Sequence, residues 1–224
     1  MKKKYSEIRD ELRSGDIIAC EKIPLTGIRS LADIGGWLSN RGIRLVQKRG
    51  NIDGDGYENL IHTYPIIHDR AHDEVMAFEY TAGMKGLRPF RLSADLAEYR
   101  ARGGRAHLFR LNAQARHRFD ESKVQDFIEK HRNNGYAWEM LAFAQLSFLP
   151  IRPFWWRANR KRYYCSAGAL AFEIHCNAIA SKRKVLRRSG WVTQPESPME
   201  YSVSEFLRRC DLFTRSTQIE VTED

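Results

Sequence analysis

Tyr163-Tyr164-Cys165-Ser166 runs directly into Ala167-Gly-Ala-Leu-Ala-Phe-Glu-Ile-His-Cys-Asn-Ala-Ile-Ala180. The second segment is apolar over most of a helical circumference, and such a helix is expected inside a protein. Starting near Cys165, it would hold the thiol at its N-terminus, where unpaired amide N–H groups and the helix dipole favour an anion. Thiolate is the form that attacks carbonyl carbon, and this placement favours it. The stretch therefore predicts a cysteine nucleophile at the head of a buried helix, and with it a base elsewhere in the chain.

A chain of 224 residues can bury one good core, so a single domain spanning 1–224 is expected, with an irregular Gly-rich insertion around 27–57. The longest apolar stretch, Ala137 to Leu149, is interrupted by Glu139 and Gln145 and is too short to cross a bilayer. Met1-Lys-Lys-Lys4 resembles the start of a signal peptide, but Tyr5-Ser-Glu-Ile-Arg-Asp-Glu11 follows in place of an apolar core. The expected location is thus cytoplasmic as synthesised, with delivery by a non-classical route or in a phage particle as the alternative. Cys20, Cys165, Cys176 and Cys210 form no CxxC pair and no zinc spacing, so no metal or cofactor is expected. Cys165 and Cys176 lie on one helix face about 16 Å apart along the axis, too far to bridge.

Net charge is +9. Arg152, Arg157, Arg160, Lys161 and Arg162 form one acid-free run, and Lys182, Arg183, Lys184, Arg187 and Arg188 another. Each reads either as a solvated face or as a patch for an anionic polymer or membrane surface. No nucleic-acid motif accompanies them, so nucleic acid is not the expected partner.

Along the chain, Ile8 to Leu12 predicts a short helix, Asp16 to Cys20 a strand, and Asn59 to Ile67 and Glu74 to Tyr80 a hairpin across His68 to Asp73. Ala106 to Leu111 predicts another strand. A helix capped by Asp120 and stopped at Asn133-Asn134-Gly135 follows, then a second over Ala137 to Leu149. A loop over Pro195 to Pro198 and a short helix over Val203 to Arg209 close the chain. Asp53-Gly54-Asp55-Gly56 reads as a turn. This mixture predicts an α+β class.

Seven histidines compete for the role of base. His68 and His72 are expected to be solvated in the hairpin turn. His117 and His131 flank or sit on a polar helix. His175 lies about 15 Å from Cys165 along one helix, beyond hydrogen-bond reach. His107 begins a strand with no evident acidic neighbour. His62 differs: a turn centred on the 70–71 peptide pairs 67 with 74, 64 with 77 and 62 with 79, which sets it opposite Glu79 on one face. A carboxylate there would orient the imidazole and stabilise its charged form. A bulge at Pro65 or a one-residue slip would break that pairing.

The order of these parts resembles the circularly permuted papain-like cysteine hydrolases of the NlpC-type superfamily, the YiiX/YebB-like group, over roughly Leu12 to Phe213. Ser14-Gly15-Asp16-Ile17-Ile18 resembles the family's opening strand and Ile61-His62-Thr63 its histidine strand. Ala-Phe-Glu79-Tyr resembles the acidic segment, and Tyr164-Cys165-Ser166 the nucleophile. Gly135-Tyr136-Ala137-Trp138 is similar to the aromatic segment before the nucleophile. The family commonly has Glu after Cys-Ser, where this chain has Ala167, and 35–57 resembles nothing in it. The resemblance implies an antiparallel sheet packed on the cysteine helix and a Cys165–His62–Glu79 triad. Tyr136 and Tyr164 would lie beside the oxyanion and substrate. It further implies hydrolysis of an amide, peptidoglycan stem peptides among the substrates, or acyl transfer and thioester cleavage at a membrane surface. Phe154-Trp155-Trp156 among the arginines would suit such a surface. A silent anion-binding module is the rival from another class, and Arg157, Arg160, Lys161 and Arg162 would be its patch.

Overall fold

The computed structural model describes residues 1–21, 23–24, 59–69, 72–80, 87–136, 162–163, 165–179, 207, 212–213 and 219–222. The chain opens with β1 (Lys2–Lys4), α1 (Tyr5–Ile8) and a 3-10 turn at Arg9–Glu11, then β2 (Ile17–Glu21). β3 (Leu60–Asp69), β4 (Glu74–Tyr80) and β5 (Leu87–Arg91) lead into α2 (Leu92–Ala101). Next come β6 (Ala106–Phe109), α3 (Ala113–Arg118) and a 3-10 turn at Glu121–Lys123 that continues as α4 (Val124–His131). β7 (Gly135–Tyr136), β8 (Arg162–Tyr163), α5 (Cys165–His175) and β9 (Ile219–Thr222) complete the described elements.

The class is α+β. One open sheet of seven strands runs in the order β1-β9-β6-β2-β3-β4-β5, and β7 pairs with β8 separately. Within the large sheet only β1 and β9 run parallel. β2 is apolar without alternation because both its faces are covered. Ile17 and Ala19 join a core with Phe109, Cys165, Ala169 and Leu170, whereas Ile18 and Cys20 join Ile8, Leu12, Tyr64, Leu92 and Leu96 on the other side. A third cluster sets Phe172 of α5 against Phe78 of β4 and Phe127 of α4, with ring centres 4.9 and 5.3 Å apart. Burying side chains of that size stabilises by about 1.5–3 kcal/mol each.

The hairpin forms where the sequence places it, but its register is shifted by two residues. Ile66 faces Ala77 and Asp69 faces Glu74, so the turn is centred closer to Asp73, which takes φ 48°. A shift of two leaves every side chain on its expected face; a shift of one would have inverted them. The β3–β4 ladder runs from Ile66 to the turn and stops at Pro65 for a chemical reason. Ile66 exchanges backbone hydrogen bonds with Gly15 and Asp16 on the β2 side, at 3.0 and 2.8 Å. Its neighbour Pro65 therefore turns its nitrogen toward β4, and that nitrogen carries no hydrogen.

Other expectations need correction. The opening helix begins a turn earlier, at Tyr5, and Asp120 caps a 3-10 turn before α4, accepting from the Ser122 amide at 3.2 Å. α2, α3, β1, β5, β7, β8 and β9 were not anticipated by the sequence reading. Residues 137–149, the Gly-rich 27–56, the 195–198 loop and all of 203–209 but Leu207 lie outside the described residues.

Two acids are buried beside the ends of β2 and α5. Asp16 is 2% exposed and accepts from the Leu111 and Arg13 amides, at 3.1 Å each, and from Arg116. Glu173 of α5 is fully buried, and neither carboxyl oxygen meets a hydrogen-bond partner among the described residues. Burial pushes its pKa well above the ordinary value, opposed by Arg116 and reinforced by Asp16. A raised carboxyl pKa gives stability that is complete below the unfolded value of 4.5 and is lost as the pH rises above it. Glu173→Gln is therefore expected to raise the unfolding free energy by up to about 3 kcal/mol at pH 7. The advantage should vanish near pH 4.5, as urea unfolding at both pH values will show.

Candidate active site

Cys165 is the first residue of α5 and is 7% exposed. The 11-residue helix aims the positive end of its dipole at this position. α5 lies across β3 and β4, and the Cys165 thiol reaches the Ile61 carbonyl at 3.8 Å. Ile61 is the extra residue of a β-bulge: Cys20 faces His62 while Glu21 faces Leu60. Bulges bend a strand and re-aim its side chains, and this one immediately precedes His62. The sequence raised a bulge at Pro65; the irregularity in the β2–β3 pairing falls instead at Ile61.

His62 and Glu79 come together, His62 Nε2 lying 3.6 Å from Glu79 Oε2. The hairpin register explains the approach. Glu79 is not directly opposite His62 but two residues along on the same face, a diagonal that long side chains span. The separation is slightly longer than a hydrogen bond, so the contact is an ion pair, and Nε2 meets no hydrogen-bond partner among the described residues. The side chains are 21% and 17% exposed. The Tyr64 ring meets His62 edge-on at 4.6 Å and is itself backed by Phe90 at 5.2 Å, which limits rotation of the imidazole.

Burial alone would push the His62 pKa down. The negative charge and hydrogen bonding of Cys165 overcome it, with Glu79 adding to the same effect, and the pKa is raised to about 10. The three groups favour a thiolate–imidazolium pair flanked by a carboxylate, able to attack a carbonyl and to return a proton to a leaving group.

The remaining histidines separate as follows. His107 does have an acidic neighbour, contrary to the sequence reading: Glu21 lies 2.7 Å from its Nε2 and also meets Arg105 at 3.0 Å. The bulge beside Glu21 and the β2–β6 register bring these together, and neither is legible from spacing. His68 is not solvated; it sits in β3 with Nδ1 3.1 Å from the Leu12 carbonyl oxygen. His72 is exposed in the turn beside Asp69. His131 is buried against Phe127, and His175 pairs with Asp126 at 2.8 Å.

Tyr136 is described through its backbone, which pairs in parallel with Tyr163 as Gly135 does with Arg162. This joins the segment after α4 to the residues just before Cys165. Tyr164, Arg157, Arg160 and Lys161 lie outside the described residues, as does the Arg162 side chain. Among the described residues no group of three or more His, Cys, Asp or Glu is placed to hold a metal ion, and no helix is long and apolar enough to cross a membrane. The sequence reading missed Asp95 of α2, a partly buried acid that senses the charges of Glu79 and His62. Its only sequence signal was Leu92 and Leu96 at helical spacing around it.

No protein-family model and no curated protein matches this chain.

Removing the Glu79 carboxylate is expected to lower the His62 pKa. The ring carbon-bound proton signals should show imidazolium still present at pH 8.5 in the unaltered protein, because the neighbouring charges hold His62 well above its ordinary pKa. In Glu79→Gln the midpoint should fall by about one pH unit. An unchanged midpoint would remove Glu79 from the site.

Proposed function

We propose that the chain is a cysteine hydrolase of amidase or peptidase type, with a permuted papain-like arrangement in which the His62 strand precedes the Cys165 helix. The observation that carries this reading is the convergence of Cys165, His62 and Glu79 from α5, β3 and β4 on one buried point, with His62 favoured as imidazolium. Structural ion pairs also shift pKa values. A thiol at the head of a buried helix, coupled to that same imidazole, makes a specific case for nucleophilic chemistry.

In the proposed cycle the Cys165 thiolate attacks an amide carbonyl, and the backbone N–H groups at the start of α5 face the developing oxyanion. The His62 imidazolium gives its proton to the departing amine, leaving an acyl-thioester on Cys165. His62, now neutral, takes a proton from water as that water attacks the thioester. The C–S bond of the thioester breaks, the acid product leaves, and the Cys165 thiolate and His62 imidazolium are restored. Glu79 holds the ring through both transfers. Peptide stems of peptidoglycan are the first substrates to try; acyl esters and thioesters follow, since the same thiolate would accept them.

Cys165→Ala is expected to abolish turnover on a panel of amides and thioesters while leaving the far-ultraviolet circular dichroism spectrum unchanged. His62→Ala should reduce kcat/KM by about 10³-fold or more. Turnover that survives Cys165→Ala would overturn the proposal.

A further inference from the structure

α2 begins directly after β5 and packs over β4 and β5, with Leu92 and Leu96 in the core that holds Tyr64 and Cys20. Asp95 lies between those leucines in sequence, and its Oδ2 is buried with no hydrogen-bond partner among the described residues. A carboxyl oxygen left buried without a partner is destabilising. The groups whose charge bears on Asp95 are Glu79 from β4, His62 from β3 and Glu98 from its own helix; Tyr64 from β3, Cys20 from β2 and Tyr99 from its own helix are neutral and feel its charge in turn. Glu79 and His62 are two members of the site just described, so the interaction is reciprocal.

We propose that Asp95 is a positioning residue of the active site: with Glu79 it forms a two-carboxyl partner for His62, and its ionisation adds the second negative charge that holds the imidazolium. This rests on the reading of Cys165 and His62 as nucleophile and base. Burial raises Asp95 to about 6, and the Glu79 charge adds to the effect while His62 opposes it. In mildly acidic solution the Asp95 carboxyl is neutral and Glu79 acts on His62 alone. Toward neutrality both acids are charged, and the imidazolium persists to higher pH. The thiolate–imidazolium pair therefore has a wider working range above pH 6 than a single carboxylate would give it.

The test is the pH profile of iodoacetamide alkylation at Cys165, resolved from the other cysteines by mass spectrometry. It is run on the unaltered protein and on Asp95→Asn, Asp95→Glu and His62→Ala. Loss of the imidazolium gives the profile its upper inflection. Asp95→Asn is expected to lower that inflection by about half to one pH unit, and Asp95→Glu to restore it. If Asp95→Asn leaves the inflection in place while His62→Ala removes it, the Asp95 assignment is overturned and the Cys165–His62 pair stands. If His62→Ala leaves the Cys165 profile unchanged, the pair itself is wrong and Asp95 loses its role with it. Should Asp95→Asn fail to fold, the His62 ring signals of the unaltered protein decide. A second, smaller shift at about pH 6 is expected there, and its absence overturns the assignment.

Discussion

The burial of α5 against β3 and β4 is the constraint on which the site depends. Phe172 fits between Phe78 and Phe127, and Ala169 and Leu170 close on the β2 side of the core. With those contacts fixed, the helix has little freedom to slide, and its first residue is held against the backbone at Ile61. The thiol is thus located by apolar packing several residues away from it. The imidazole is located by strand pairing and by the ring of Tyr64. Neither depends on the attraction between Cys165 and His62, so both groups are positioned independently of their charge.

Much of this was legible because it follows from local rules. The bounds of β2, β3 and β4 follow from runs of β-branched and apolar residues, and the head of α5 follows from the break between a polar segment and an apolar one. His62 and Glu79 were found by pairing them across an assumed turn, and because alternation repeats every two residues their shared face survives the two-residue error in that register. The register itself was not legible, because it depends on where Pro65 interrupts one ladder and Ile61 bulges in the other. Those are tertiary choices between neighbouring strands. The partnership of His107 with Glu21 was hidden for the same reason. α2 escaped notice because its polar residues outnumber the leucines that anchor it.

The protein also tolerates several ionisable groups in places that disfavour their charge. Glu173 and Asp16 occupy the same buried region, with Arg116 as their shared counter-charge. Cys20, Cys176, Tyr64 and Tyr99 are pushed upward chiefly by burial, which keeps them neutral and inert. Cys165 is distinguished from the other two described cysteines by position: it alone stands at a helix head beside an imidazole.

The two ends of the large sheet share a chemistry. β1, at one end of the strand order, is Lys2-Lys3-Lys4; β5, at the other, is Leu87-Arg88-Pro89-Phe90-Arg91, with Arg88, Pro89 and Arg91 exposed. Among the described residues each of these strands pairs on one side only. An open sheet edge is a template for another chain's strand, and lysine, arginine and proline are the residues that spoil it. Two copies meeting edge to edge would bring like charges together, and at Pro89 would find no hydrogen to share. Part of the basic excess of this chain is thereby accounted for without any anionic ligand: it discourages the sheet from growing into its neighbours.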